Sequence, residues 1–225
     1  MHGATRKCLS RTLHRSVPGD SRLCNGAAGQ PKVACDPLRA NEQPKAGRQP
    51  NLCLSCGLCC DGSIFADVKL LPGENAGRLL SLGIPLQPQS PRARNGPGSK
   101  VKGWGFTQPC AALEQCRCRI YASRPQYCRE FECLLLKKLV SGDVDFARAE
   151  RLVRLARRQI GKIDKLLRAL GQADDKALAS RFRDLTKRLE GVRPDPETAR
   201  LFGKLTVAFH KLNQLLQQHF YPAPA

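Results

Sequence analysis

The sequence predicts a mainly α protein, in which a small irregular cysteine-rich domain is followed by an antiparallel helical bundle. Three observations lead there. Nine of the twelve cysteines lie between positions 53 and 133. Beyond 134, apolar residues recur at alternating three- and four-residue steps, the signature of a helical face. Aromatic residues make up only 5% of the chain, enough for a modest helical core but not for a large mixed one.

Residues 1–50 read as a disordered basic arm. Gly, Pro, Gln, Asn, Arg and Lys dominate, and neither helical nor strand periodicity is present. Cys8, Cys24 and Cys35 are widely and irregularly spaced there, and free thiols are expected. No apolar block follows the scattered basic residues at the start. The expectation is therefore a chain without a secretory signal, a cytoplasmic address and reduced thiols. No stretch approaches the roughly 18 to 20 apolar residues of a membrane span.

Residues 51–133 form the predicted cysteine domain. It opens with Cys53-Leu-Ser-Cys56-Gly-Leu-Cys59-Cys60. Ser63 to Leu70 can supply a short strand or turn, and Glu74 to Leu82 a short helix. Gly83 to Gly103, rich in Pro, Gly, Arg and Ser, reads as a long loop. Lys102-Gly-Trp104-Gly-Phe106 reads as a strand delivering Cys110, with Trp104 expected to be packed. About 80 residues with few large hydrophobes make a marginal core, the situation in which a bound metal commonly replaces missing burial.

Residues 134–225 form the predicted bundle. Ala149, Val153, Ala156, Ile160, Ile163, Leu167 and Leu170 share one helical face, and Gly171 offers the stop. Asp174 or Asp175 is placed to cap a second helix, whose stripe is Leu178, Phe182, Leu185, Leu189 and Val192. Asp195-Pro196 starts a third, with Leu201, Leu205, Phe209, Leu212 and Leu216 inward. Arg157, Arg158, Lys162 and Lys165 are expected on the wet face.

The cysteines carry the chemistry. Clustered thiols in a reducing compartment read as metal ligands before disulfides. Thiolate is soft and suits zinc or iron–sulfur clusters rather than magnesium or calcium. Histidine is absent from 51–133, so neither a His-containing zinc enzyme site nor a Cys–His nucleophile is expected. All-cysteine coordination favours closed sites, and with them structural or electron-transfer roles over hydrolysis. Cys53, Cys56 and Cys59 match the first ligands of a ferredoxin-like run, but zinc ribbons use the same two-residue spacing. Cys59 and Cys60 project differently from the backbone, so they can serve two different metals. Arg124 and Arg129 are candidates for offsetting thiolate charge, whereas Arg117 and Arg119 read as ordinary surface residues.

The net charge of +19 is spread over all three segments. It makes a weak case for nucleic acid as a partner, because phosphate contacts need no special fold. A solvated basic surface is the simpler reading. The helical segment offers a face for a protein partner, and no membrane partner is expected.

With both halves in view, the chain resembles the YkgJ-type CxxCxxCC cysteine-cluster proteins, a family named for zinc or iron chelation. The first half of the likeness is Cys53, Cys56, Cys59 and Cys60. The second is Phe106-Thr-Gln-Pro-Cys110-Ala-Ala-Leu113 together with Cys118-Arg-Ile-Tyr121-Ala-Ser-Arg124-Pro125-Gln-Tyr-Cys128-Arg129-Glu-Phe131-Glu-Cys133. The resemblance implies metal chelation by Cys53, Cys56, Cys59, Cys60, Cys110, Cys118, Cys128 and Cys133, as two four-cysteine sites or one cluster with extra ligands. Cys116 is an addition to the pattern. Tyr121, Arg124 and Pro125 are expected to shape the loop that presents Cys118 and Cys128. The segment is also similar to one in proteins that methylate flagellin lysines, which sets an iron–sulfur-dependent redox or group-transfer enzyme beside the binding module as the alternative.

Overall fold

The computed structural model describes residues 51–88 and 103–222. The predicted arm, with Cys8, Cys24 and Cys35, lies outside the described residues, as does the 89–102 portion of the predicted loop. The structure is mainly α, about 54% helical, with seven helices and a few small strands among the described residues.

Helix α1 (Leu52–Cys56) begins because the Asn51 side chain accepts from the Cys53 N–H. It ends at Gly57, whose φ of 67° is left-handed. A Cβ on Gly57 would also stand 3.0 Å from the Cys116 carbonyl oxygen, so the glycine of the octet serves both turn and close approach. The chain then turns back through Cys60 N–H and Asp61 N–H, both bonded to the Gly57 carbonyl.

Strand β1 (Asp67–Lys69) is followed by α2 (Ala76–Ser81), shorter than the predicted 74–82 because Asn75 takes the cap position. Strand β2 (Gln87–Pro88) and strand β1 both pair antiparallel to the central strand β3 (Trp104–Thr107). Val68 sits opposite Phe106, and both are buried. Trp104 is not packed as expected but 49% exposed. It lies beyond the last β1 pair, Lys69–Gly105, and opposite the exposed Pro88, so nothing in β1 covers it. A second small ladder joins β4 (Leu113–Glu114) to β5 (Arg117–Cys118). A 3-10 turn (Tyr121–Ser123) leads to α3 (Gln126–Glu130), and α4 (Leu134–Val140) starts directly after Cys133.

The long helices carry the periodic stripes. Helix α5 (Phe146–Ala169) is capped by Asp145 and stops before Gly171, where φ is 75°. Ala149, Val153, Ala156, Ile163 and Leu167 are buried along it, as the pattern predicts. Helix α6 (Leu178–Leu189) is not capped by Asp174 or Asp175: Ala177 holds that position without a side-chain bond. Asp174 is drawn instead to Arg168 at 2.7 Å and Arg181 at 3.1 Å. The helix ends before Val192, which is exposed rather than part of the stripe. Helix α7 (Pro196–His219) is capped as expected, Asp195 accepting from the Glu197 and Thr198 N–H groups. Helix α6 meets α7 through Phe182, which stacks on Phe209 at 4.3 Å.

Two apolar clusters result. The larger joins Leu52, Leu58 and Leu135 to the buried faces of α5, α6 and α7 and to Phe220. The smaller holds Val68, Leu79, Ile84, Phe106, Ala112 and Ile120. Each fully buried Leu or Phe contributes about 1.5–3 kcal/mol. Leu58 lies within the cysteine octet and Leu52 immediately before it, so the octet shares a core with the long helices. Arg181 is also buried, paired with Asp164 at 2.5 Å. No described helix is long and apolar enough to cross a membrane.

Candidate metal centre

The octet's turn brings the first four thiols to one end of the core. Cys53 and Cys56 lie on α1, and Cys59 and Cys60 lie in the turn that follows. Cys110 is tied beside them, because its N–H donates to the Cys60 carbonyl at 2.8 Å. Cys118 ends β5, Cys128 lies in α3, and Cys133 is the cap residue of α4, its sulfur accepting from Leu136 N–H at 3.4 Å. Glu74 fixes the approach of α3: its carboxylate accepts from Leu71 N–H at 2.7 Å and Gln126 N–H at 2.6 Å.

All eight predicted ligand cysteines are free and half-buried. Seven of them, all but Cys110, line one cavity of about 80 Å3 together with Tyr121, Arg124, Tyr127 and Phe131. Phe65 braces its aromatic wall, edge-on to Phe131 with ring centres 4.5 Å apart. Cys116 lines the same cavity but is not one of the free thiols.

Burial pushes every one of these thiols above its ordinary range, and for Cys53, Cys56, Cys59, Cys60, Cys110 and Cys128 neighbouring sulfurs add to the effect. Cys56 is pushed up to about 12 by burial, with Cys133 contributing. Cys128 is likewise pushed up to about 12 by burial, with Cys110 and Cys118 contributing. The electrostatic neighbours fall into two sets. Burial raises Cys59, and Cys56, Cys133, Cys60 and Cys53 raise it further. Burial raises Cys60, and Cys110, Cys118 and Cys128 raise it further. Packing divides the sulfurs along the same line: Cys56 and Cys133 rest on the larger apolar cluster, and Cys110, Cys118 and Cys128 on the smaller. The Cys59–Cys60 peptide joins the two sets.

As placed, no three Cys, His, Asp or Glu side chains among the described residues converge on a single ion position. The fit to a metal therefore rests on the chemistry of the donor set. Eight half-buried sulfurs held together, with no histidine between residues 51 and 133, make a soft donor set that stays protonated until a cation compensates the thiolates.

Arginines complete the electrostatics. Arg124 lines the cavity and lies 3.7 Å from the Tyr121 ring centre. Arg129 is exposed and is not among the lining residues. Arg119 pairs with Glu114 at 3.1 Å, as a surface residue does. Arg157 departs from the expected wet face. It is half-buried, reaches from α5 to the Ser55 carbonyl at 2.7 Å and to the Cys56 carbonyl, and donates to the Cys116 sulfur. The helical period of α5 could not announce this contact, because a long arginine stem can leave a helix flank for whatever abuts it.

Residues 52–150 match the CxxCxxCC family model, described as "Putative zinc- or iron-chelating domain". This segment is thus similar to the CxxCxxCC family, as the resemblance over 53–133 anticipates, and the match continues through α4 into α5. The function that comes with this match is chelation of zinc or iron. No curated protein and no solved structure matches the chain.

Proposed function

We propose that the protein chelates zinc or iron through cysteine alone, in two four-thiolate sets: Cys53, Cys56, Cys59 and Cys133, and Cys60, Cys110, Cys118 and Cys128. The observation that carries this reading is the packing of Cys56 and Cys133 on one apolar cluster and of Cys110, Cys118 and Cys128 on the other, among eight free, half-buried thiols. Each thiol must lose its proton to ligate, so loading releases protons and is opposed by acid. The cation supplies the charge that offsets four closely held thiolates. The protein's own part is positional: α1 and the Cys133 cap present one set, and β5, α3 and the Cys110 turn present the other. Four-thiolate sites leave no open position for substrate, which favours a structural or electron-transfer role in a cytoplasmic protein.

Metal analysis and a visible spectrum of anaerobically purified protein test the reading and separate its versions. Zinc gives no colour, whereas an iron–sulfur cluster absorbs broadly near ~400 nm and would favour the redox or group-transfer alternative. Cys56→Ser and Cys128→Ser should each lower metal content, one in each set. Unchanged stoichiometry in both variants would sink the proposal.

A second reading, contact with nucleic acid, is favoured by one surface feature. An open groove of about 500 Å3 between α5 and α7 is lined by Lys162, Lys204 and Lys211, with no acidic side chain in its wall. Binding to RNA or DNA that weakens steeply with salt, and that falls on Lys→Glu substitution at these positions, is the expected result. No salt-sensitive binding removes this reading.

A further inference from the structure

Arg124 has a placement that chelation alone does not require. Its guanidinium is half-buried, yet no carboxylate pairs with it among the described residues. Two main-chain carbonyls fix it instead: Nε donates to Tyr121 O at 2.9 Å and Nη1 to Cys128 O at 3.3 Å. The Tyr121 ring lies under it at 3.7 Å, so the charge is held with little freedom to swing into water. It opens onto the cavity shared by the thiols. That cavity is lined by Cys53, Cys56, Cys59 and Cys133 of the first set and by Cys60, Cys118 and Cys128 of the second, so the fixed charge faces both. Among the arginines near the thiols this reach is specific. Neither Arg119 nor Arg157 is among the residues that line that cavity.

Four thiolates around a dication leave a net charge of about −2. Two such centres joined by one peptide bond repel each other, and a fixed cation near both lowers that cost. We propose, resting on the two-set reading above, that Arg124 is a shared counter-cation that couples the two sets, so that a loaded first set is compatible with tight binding in the second. Arg124 is a positioning residue in this role: it ligates nothing and acts through the charge of the thiolates.

The test is stepwise removal of zinc from the loaded full-length protein by a competing chelator, for wild type, Arg124→Gln and Arg124→Lys, at low and high salt. Wild type should hold two ions. In Arg124→Gln the affinities of the two ions should separate by about tenfold more than in wild type, and added salt should close the gap, because screening replaces the lost cation. Arg124→Lys keeps the charge but loses the fork that grips both carbonyls, so its gap should fall between the other two. A wild type that holds fewer than two ions overturns the two-set reading itself. Two ions in wild type, with an equal loss at both sites in Arg124→Gln or a gap insensitive to salt, overturns the coupling role alone. Should Arg124→Gln fail to fold, Arg124→Lys still decides: an unchanged gap at every salt concentration overturns the coupling role.

Discussion

Leu58 offers the sharpest test of how the cysteine octet is held. It lies between Cys56 and Cys59, is 0% exposed, and belongs to the same apolar cluster as Leu135, Ile163, Leu212 and Phe220. Truncation to alanine removes its contacts and leaves a cavity, which for a buried leucine costs about 2–5 kcal/mol. The turn around it has little room to collapse. Cys60 N–H and Asp61 N–H are both bonded to Gly57 O, and Ile64 N–H to Leu58 O at 3.2 Å. We therefore expect Leu58→Ala to cost about 3–4 kcal/mol. With a slope of about 2 kcal/mol per molar urea, the unfolding midpoint of the metal-loaded protein should fall by roughly 1.5–2 M, followed by helical circular dichroism. Leu80→Ala, at a leucine that is 54% exposed on α2, is the control and should stay within about 0.5 kcal/mol. Metal should also leave Leu58→Ala faster under chelator. A cost below about 1 kcal/mol with unchanged metal release would refute the claim that the octet and the long helices share one core.

Three further outcomes follow from the same geometry. Gly62 has φ of 86°, and a Cβ there would stand 2.8 Å from the Ala177 Cα, while Leu178 N–H donates to the Gly62 carbonyl. Gly62→Ala should cost about 2 kcal/mol or more in a thermal melt, through strain and a forced shift at the start of α6. Asp195→Ala leaves the first N–H groups of α7 without an acceptor and should cost about 1 kcal/mol in the same melt, with Asp195→Asn near neutral. His219 is held below its ordinary pKa, first by burial and then by Lys138 and Arg148. The folded state thus binds fewer protons there than the unfolded state, so stability should decline as pH falls below about 6.5 and level off below the depressed folded value. His219→Gln should flatten that part of the curve, and an unchanged slope would show that the histidine is not its source.

Much of this was legible in the sequence, for reasons that differ by element. The stripes of α5 and α7 could be read because helical period and burial are the same fact seen twice, and the Asp195-Pro196 start because cap chemistry is local. Cap chemistry misled at Asp174, where a buried arginine seventeen residues from its partner Asp164 competes for the carboxylate. The helical period does place Arg181 on the apolar face, between Leu178 and Leu185, but its residue type reads as a surface arginine. Trp104 failed similarly: its exposure depends on where β1 stops, which is a property of another segment. The eight thiols were legible by type and spacing. The division proposed for them was not, because it depends on the cluster against which Cys56, Cys133, Cys110, Cys118 and Cys128 pack, and the two clusters draw on residues far apart in the chain.

The proposed division would also account for the place of the doublet. A Cys-x-x-Cys turn directs two sulfurs to one side of a short helix, and of these Cys56 packs against the larger cluster. Cys60 instead follows Cys59 directly, and its carbonyl receives the N–H of Cys110, which rests on the smaller cluster. In the proposed grouping, one peptide bond thus separates the two sets. Any change that lengthens it, such as a glycine inserted between Cys59 and Cys60, should leave each set its sulfurs while loosening the register between them. Metal content would then survive, but the coupling through Arg124 would weaken, because a guanidinium fixed to Tyr121 O and Cys128 O can stand near both centres only while their separation is fixed.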